Sequence, residues 1–436
     1  MTEGRPVLPV VLIATFMQLL DVTIAQVAIP SIQRDLHAGA GTLQLVLAGY
    51  TLAYACLLIT AARLGDRFGY RRLFVIGMVV FTLASAGCAA APTASVLVLA
   101  RVLQGVGSGL MAPQVFSIIQ TALPAVQRPR ALSFLGATMG IASLTGPLLG
   151  AALLGVGGWR LLFLVNVPIC LLALTGSVVL PDTRAPSAAK VDALGAFLAA
   201  AGLGLLVFPL SVGRELHWPL WTVACLVSAL VLLFLFARSQ VRGREPLLHP
   251  SVLRDRIARS GIALVFVFNA GVPSFTYLLF LYLQANLGYS ALHAALAVAP
   301  FAAAAIFGSR AAPPLARRFG FRLLTAAAAL LALVTAALAW RDSVVLPLLA
   351  VGGMAFGLFT ASVFSLVLAD VSPAATGSAS GLLPTAQQLG GSIGLTLAGL
   401  VFAGGRFGYA MGYETVIFLV TAALTLVGSR SAAYRR

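Results

Sequence analysis

Apolar runs about as long as a bilayer is thick recur along the whole sequence, and this repetition constrains the fold more than any motif does. A hydrocarbon core roughly 30 Å thick needs about 20 apolar residues at a rise of about 1.5 Å each. Lipid offers backbone amides no water, so each run must be a helix that satisfies its own hydrogen bonds. The alternating pattern of a membrane β-barrel is absent. Runs lie near 7–30, 43–62, 73–91, 95–122, 131–155, 159–180, 193–213, 219–237, 260–283, 290–309, 322–340, 344–369, 376–403 and 413–429. They read as fourteen spans, six, then two, then six, of an all-α membrane protein. With 60% hydrophobic and 9% charged residues, the chain has too little polar sequence to cover a water-soluble core, where about 25% would be charged.

Charge placement sets the topology. The net charge of +16 comes from 27 arginines and one lysine, Lys190, and nearly all of them sit between the apolar runs. With the N-terminus inside, the segments on that side hold Arg5, the four arginines from Arg63 to Arg72, Arg128, Arg130, Arg184 and Lys190. The same side holds six arginines from Arg238 to Arg259, four from Arg310 to Arg322, and Arg430, Arg435 and Arg436. Opposite them stand only Arg34, Arg160, Arg214, Arg341 and Arg406, with Arg101 inside a span. This asymmetry predicts both termini in the cytoplasm, in a multi-pass protein of the inner (plasma) membrane. It also removes a nucleic-acid reading, because no basic stripe interleaves with aromatics. The first run is too long for a cleavable signal and enters directly into a polar-studded span. Cys56, Cys88, Cys170 and Cys225 lie inside apolar runs without C-x-x-C spacing, so they read as small hydrophobes.

An internal repeat is visible. Leu64-Gly-Asp-Arg-Phe-Gly-Tyr-Arg71 aligns with Leu315-Ala-Arg-Arg-Phe-Gly-Phe-Arg322, and each copy joins the second and third spans of a six-span set. Two parallel six-helix bundles follow, as in repeat-built transporters. The expected organisation is a first bundle over 1–181, two additional spans over 182–237, a cytoplasmic linker over 238–259 and a second bundle over 260–436. The two additional spans are expected to be peripheral.

The stretch Ala62-Arg-Leu-Gly-Asp-Arg-Phe-Gly-Tyr-Arg-Arg72 resembles the loop signature G-x-L-x-D-R-x-G-R-R of the major facilitator superfamily. Leu20-Asp-Val-Thr-Ile-Ala-Gln-Val-Ala-Ile-Pro30, Arg101-Val-Leu-Gln-Gly105, Gly146-Pro-Leu-Leu-Gly150, Trp159 to Pro168, Ser380-Gly381 and Gln387 to Gly391 narrow the likeness. Together they resemble its fourteen-span drug:proton antiporters. Ala62, Gln26, Ala151 and Arg317 depart from the family pattern, and Arg317 stands where the second loop copy would carry its acid. The resemblance implies a proton-coupled antiporter that exports lipophilic or cationic small molecules by alternating access. Physics alone leaves an importer or a metabolite exporter open. In the loop, Asp66, Arg67, Gly69, Arg71 and Arg72 form the expected cytoplasmic gate, with Asp66 facing a positive helix N-terminus near Thr376 and Gly377. Gly140, Gly146, Pro147 and Gly150 are the antiporter motif that the resemblance implies.

Asp21 is the residue on which the functional reading turns. It is the only acid placed deep in a span, with Asp370 and Glu414 read at span ends. Burying a carboxylate at bilayer depth costs at least about 2.5 kcal/mol, so it should face a polar interior and exchange a proton for a cationic or polar group. A structural hydrogen bond to Thr23, Gln18 or a neighbouring helix is the plainer alternative. Arg101 shares its depth, and Arg101, Gln104 and Ser108 fall on one helical face, with Gly105 leaving room beside them. Arg101 therefore either tunes Asp21 in a polar wall or locks it in a permanent ion pair. Gln18, Gln104, Asn166, Asn269, Tyr277, Gln387 and Gln388 are candidate substrate contacts, alongside Phe266, Phe275 and Phe280. Aromatics with few polar groups suit amphiphiles.

Other classes lack their residues. A phosphate-binding loop needs a Gly-Lys pair, which Lys190 does not provide. His37, His217, His249 and His293 show no ligand spacing, and Gly390-Gly-Ser-Ile-Gly394 lies mid-span rather than at a strand–helix elbow. The chain is expected to be no enzyme and to use neither metal nor cofactor. Its expected partners are an amphiphilic substrate, protons and the bilayer, with the chain acting as a monomer.

Overall fold

The computed structural model describes residues 7–124, 126–184, 192–213, 216–242, 256–341, 346–370, 373–402 and 406–433. Among these residues there are fourteen α-helices and no strand. The first set is α1 (Val7–Leu36), α2 (Ala40–Phe68), α3 (Tyr70–Ala90), α4 (Ala94–Ala122), α5 (Arg128–Leu164) and α6 (Asn166–Gly176). Then come α7 (Ala193–Val212) and α8 (Leu220–Arg242). The last set is α9 (Arg256–Leu281), α10 (Ala291–Phe319), α11 (Phe321–Arg341), α12 (Leu346–Asp370), α13 (Pro373–Phe402) and α14 (Phe407–Ala433).

Helical geometry within α5 breaks at Gly158 (φ 71°, ψ −174°), between the expected fifth and sixth spans. Residues 159–164 and α6 thus make up the sixth span. The sixth span is joined to the end of α1 there: Trp159 Nε1 and Arg160 donate to Asp35, at 2.8 and 2.5 Å. That ion pair is half-exposed and contributes little. Outward-facing positions are apolar, as Leu83, Phe234 and Leu333 illustrate, which suits helices whose surroundings are lipid.

The chain divides at Leu247 and Leu248 into two compact units. In the first, α2 packs on α4, α1 on α5, α3 on α4, and the sixth span on α1 and α3. In the second, α10 packs on α12, α9 on α13, α11 on α12, and α14 on α9 and α11. The two units therefore reuse one pairing scheme. Helices α7 and α8 belong to the first unit, α7 lying against α2 and α8 against α7. Gly41 of α2 faces the main-chain oxygen of Ser211 at that contact. Asp192 caps α7 by accepting from Gly195 N at 2.7 Å, and Gln240 of α8 donates to it at 3.0 Å. Lys190 and linker residues 243–255 lie outside the described residues.

The repeated eight-residue motif marks the same joint twice. Gly69 stands between α2 and α3 with φ 103°, and Gly320 stands between α10 and α11 with φ 54°. Both values lie where a Cβ is strained, which is why each copy keeps glycine there. The joints differ in their surroundings. A Cβ on Gly69 would come within 2.9 Å of Asp182 Oδ1, whereas one on Gly320 would meet nothing.

Two sequence expectations are corrected here. The last span begins at Phe407 rather than 413, because the glycines around Phe407–Gly412 masked an apolar turn. Glu414 is therefore not at a span end: it is the eighth residue of α14 and fully buried. Asp21 is not the only acid deep within a span.

Candidate functional site

Asp21 lies midway along α1, where the helix is sheathed by α4, α5 and the sixth span, and it is 1% exposed. Three donors converge on its carboxylate. Arg101 Nη1 reaches Oδ2 at 2.5 Å, while Gln104 Nε2 and Asn166 Nδ2 reach Oδ1 at 2.8 and 2.7 Å. No group offers Asp21 an acceptor in this set, so the arrangement accommodates the ionised carboxylate. Helix α4 supplies two of the donors because Arg101 and Gln104 are one turn apart on its buried face.

A second ring of contacts holds the donors in place. Arg101 Nε donates to Val46 O at 2.9 Å, and its Nη1 also donates to Gln104 Oε1 at 2.7 Å. Its guanidinium lies 4.4 Å from the centre of the Tyr50 ring and 5.7 Å from that of Phe163. Gln104 spends its other amide hydrogen on Ser85 Oγ at 2.8 Å. Cys88 Sγ stands 3.6 Å from Gln104 Oε1. Tyr50 and Ser108 hydroxyls pair at 2.8 Å. The network thus ties α1, α2, α3, α4 and the sixth span through buried polar atoms. Removing one partner of such a buried pair costs about 3–5 kcal/mol, because the other charge is left uncompensated.

Of the residues picked from sequence, Asp21, Arg101, Gln104 and Asn166 come together. The room expected beside Gly105 is filled by α2, since a Cβ there would strike Tyr50 O. Gln18 is buried one turn before Asp21, its Nε2 without a partner. Thr23 does not bond to Asp21; its hydroxyl donates to Leu20 O at 2.9 Å. Gly146 sits against Thr23, so α1 and α5 approach closely there, while Gly150 meets Ile24 Cα at an ordinary 3.5 Å from a built Cβ. Pro147 lies within α5, and the surroundings of Gly140 are outside the described residues.

The remaining candidates belong to other neighbourhoods. Asn269 is buried in α9 and donates to Val265 O at 2.8 Å. Tyr277 is buried in the same helix, and Gln387 and Gln388 are half-buried in α13. In the 62–72 loop, Asp66 accepts from Tyr70 OH at 2.9 Å, and Arg67 lies 5.4 Å from the Phe68 ring. Tyr70 N donates to Thr183 O at 3.0 Å. Among the described residues, no ion pair involves Asp66, Arg67, Arg71 or Arg72. The side chains around Thr376 and Gly377 fall outside the described residues.

Sequence reasoning missed Ser85, Tyr50, Glu414 and Ser274. Ser and Tyr in apolar runs are common, and nothing in their spacing to Asp21 sets them apart. Glu414 did carry a signal, a carboxyl near an apolar stretch whose start was set too late.

Residues 11–395 match the Major Facilitator Superfamily. The chain belongs to that superfamily. A protein of Streptomyces coelicolor named as a probable actinorhodin transporter is 36% identical over 419 residues, covering 91% of this chain and 72% of its own length. The puromycin resistance protein pur8 of Streptomyces alboniger is 34% identical, covering 94% of this chain and 84% of itself. The putative multidrug resistance protein MdtD of Salmonella typhi is 32% identical, covering 90% and 85%. Among solved structures, the POT family transporter PepTSo matches with a TM-score of 0.73 at 17% identity, covering 100% of both chains. A bacterial homologue of the lysosomal transporter Spinster matches at 0.72 and 18%, covering 100% of this chain and 98% of that one. These likenesses show the fold. This major facilitator protein is a multi-pass membrane transporter, and its relatives bear out the drug-transporter likeness read from its motifs.

Proposed function

We propose that this transporter is a proton-coupled antiporter that exports lipophilic or cationic small molecules by alternating access. In this reading it sits in the inner membrane with both termini cytoplasmic, as the arginine distribution favours. The observation that carries the proposal is the convergence of three donors, one of them an arginine, on the fully buried Asp21. A proton arriving on Asp21 cancels its charge, frees Arg101 and removes the attraction that ties α4 to α1. Such a network has two discrete states, locked when ionised and loose when protonated, and proton binding selects the second. A cationic substrate can take the place of the proton by meeting the same carboxylate. Relatives named for antibiotic or drug resistance support export and this substrate class. The first six spans and the last six act as the two halves of the cycle, and the 62–72 loop gates the cytoplasmic side.

The test uses inverted membrane vesicles with a pH-sensitive dye and a panel of amphiphiles. Wild type is expected to release protons from the lumen on substrate addition, and Asp21→Asn is expected to release none. If Asp21→Asn keeps full proton-coupled transport, the coupling role is lost. If titration finds Asp21 charged and paired with Arg101 in every state, a carrier without this coupling remains.

A further inference from the structure

The second unit holds its own buried acid, and the hydrogen atoms around it can be counted. Glu414 Oε1 lies 2.6 Å from Ser274 Oγ of α9. The same hydroxyl lies 2.7 Å from Ala270 O and 3.1 Å from Gly271 O. A serine has one hydrogen to donate. If that hydrogen goes to Ala270 O, the short contact to Glu414 needs a hydrogen from the carboxyl. If it goes to Glu414, the carboxylate has a single hydrogen bond for a full charge in an apolar setting, which is strongly unfavourable. Among the described residues Glu414 Oε2 has no hydrogen-bond partner.

Among the described residues no cation pairs with it. Among the described residues the ion pairs are Arg101–Asp21 and Arg160–Asp35, both in the first unit. Of the helices packed on α14, α13 has no charged or titratable residue in its sequence. Helix α9 has Tyr277, plus Arg256 and Arg259 in its first turn, and Arg259 is 15 residues, roughly 22 Å along the helix, from Ser274. Helix α11 has Arg322 and Arg341, both at its ends. Arg406, just before α14, donates to Tyr409 at its exposed start, Tyr413 OH donates to Gly394 O, and Arg430 of α14 stands 16 residues, roughly 24 Å along the helix, from Glu414. What faces Oε2 is Gly271, where a Cβ would stand 3.0 Å away, and the Phe418 ring beside it. Phe268 lies 6.0 Å from Phe418 and stacks on Phe359 at 3.8 Å.

We propose that Glu414 is a second proton-binding site, which carries its proton while α9 and α14 are packed together and releases it when they part. On release the carboxyl O–H bond breaks, the proton passes to water, and the carboxylate remains beside the Phe418 ring, with Phe268 next to that ring. An anion with aromatic faces takes a lipophilic organic cation, so the proton leaves as the cation arrives. The proton site stands on the second unit alone; the exchange rests on the carrier reading above.

Infrared difference spectroscopy over pH on the purified full chain in liposomes tests the site. Wild type and Asp21→Asn are expected to show the carbonyl stretch of a protonated carboxylic acid at neutral pH. That band should vanish in Glu414→Gln and move to higher frequency in Ser274→Ala, which removes its hydrogen-bond partner. A protonated-acid band unchanged by Glu414→Gln, or missing from wild type, overturns the proposal. Proton release to the medium when tetraphenylphosphonium binds the detergent-purified full chain in weak buffer, where there is no lumen and nothing is transported, tests the exchange. Glu414→Gln is expected to release fewer protons than wild type and Asp21→Asn to retain a share, while equal release from Glu414→Gln and wild type overturns it. A protein that transports nothing in any variant would still show or lack the band, so the two readings fail separately.

Discussion

The two units pack their helices by one scheme and yet treat a buried acid in opposite ways. In the first, the acid is on the first helix, Asp21 of α1, and the sixth span sends it Asn166. In the second, the acid is on the sixth helix, Glu414 of α14, and the first helix of the set, α9, sends it Ser274. The same helix pair is bridged in both. What differs is the fourth helix, because α4 contributes Arg101 and Gln104 whereas no basic residue stands within α12. A duplicated scaffold thus fixes where a polar bridge forms, and one arginine decides whether the acid there is an anion in a lock or a lone acid among aromatics.

Arg101→Met should break this comparison most severely. It strands Asp21 without a cation and is expected to cost about 3–5 kcal/mol, read by denaturation in detergent. The double variant Asp21→Asn/Arg101→Gln should regain much of that loss, because neither charge is then left alone. Asn166→Ala removes one of three donors from the carboxylate and should cost about 1.5–3 kcal/mol, measured in the same way. A near-zero effect there would mean that the sixth span does not hold the acid.

The repeated glycines sharpen the contrast between the joints. Gly69→Ala is expected to cost about 1–3 kcal/mol, since it adds a steric conflict with Asp182 to a left-handed backbone. Gly320→Ala should cost about 1–2 kcal/mol from the backbone alone. Equal losses would show that the Asp182 contact adds nothing. Glu414→Gln should be the mildest, within about 1 kcal/mol of wild type, because no opposite charge is abandoned and Ser274 keeps its carbonyl partner. A loss as large as that of Arg101→Met would mean that Glu414 has a cationic partner and that the units are alike.

Much of the architecture was legible in the residues themselves. The apolar runs located fourteen helices, because a membrane span must close its hydrogen bonds within one continuous stretch. The eight-residue repeat located two equivalent joints, because a glycine with positive φ is hard to replace. Asp21 and Arg101 stand out because a charged group deep in an apolar run is expensive to keep, and Gln104 because it shares a helical face with Arg101. Asn166 was one of several equivalent amides, and nothing along the chain separated it from Asn269, which only bonds its own helix.

What the sequence determined by itself was position along each helix, since hydropathy and charge are read one residue after another. Which side chains meet was decided only by tertiary structure, because that depends on how each helix is rotated and which neighbour covers it. Ser85, Tyr50 and the carbonyl of Val46 entered the Asp21 network through packing. Glu414 became a core acid in the same way. It lies two turns inside α14 with Gly271 leaving space for its second oxygen, an arrangement that burial by neighbours creates and that no linear pattern encodes.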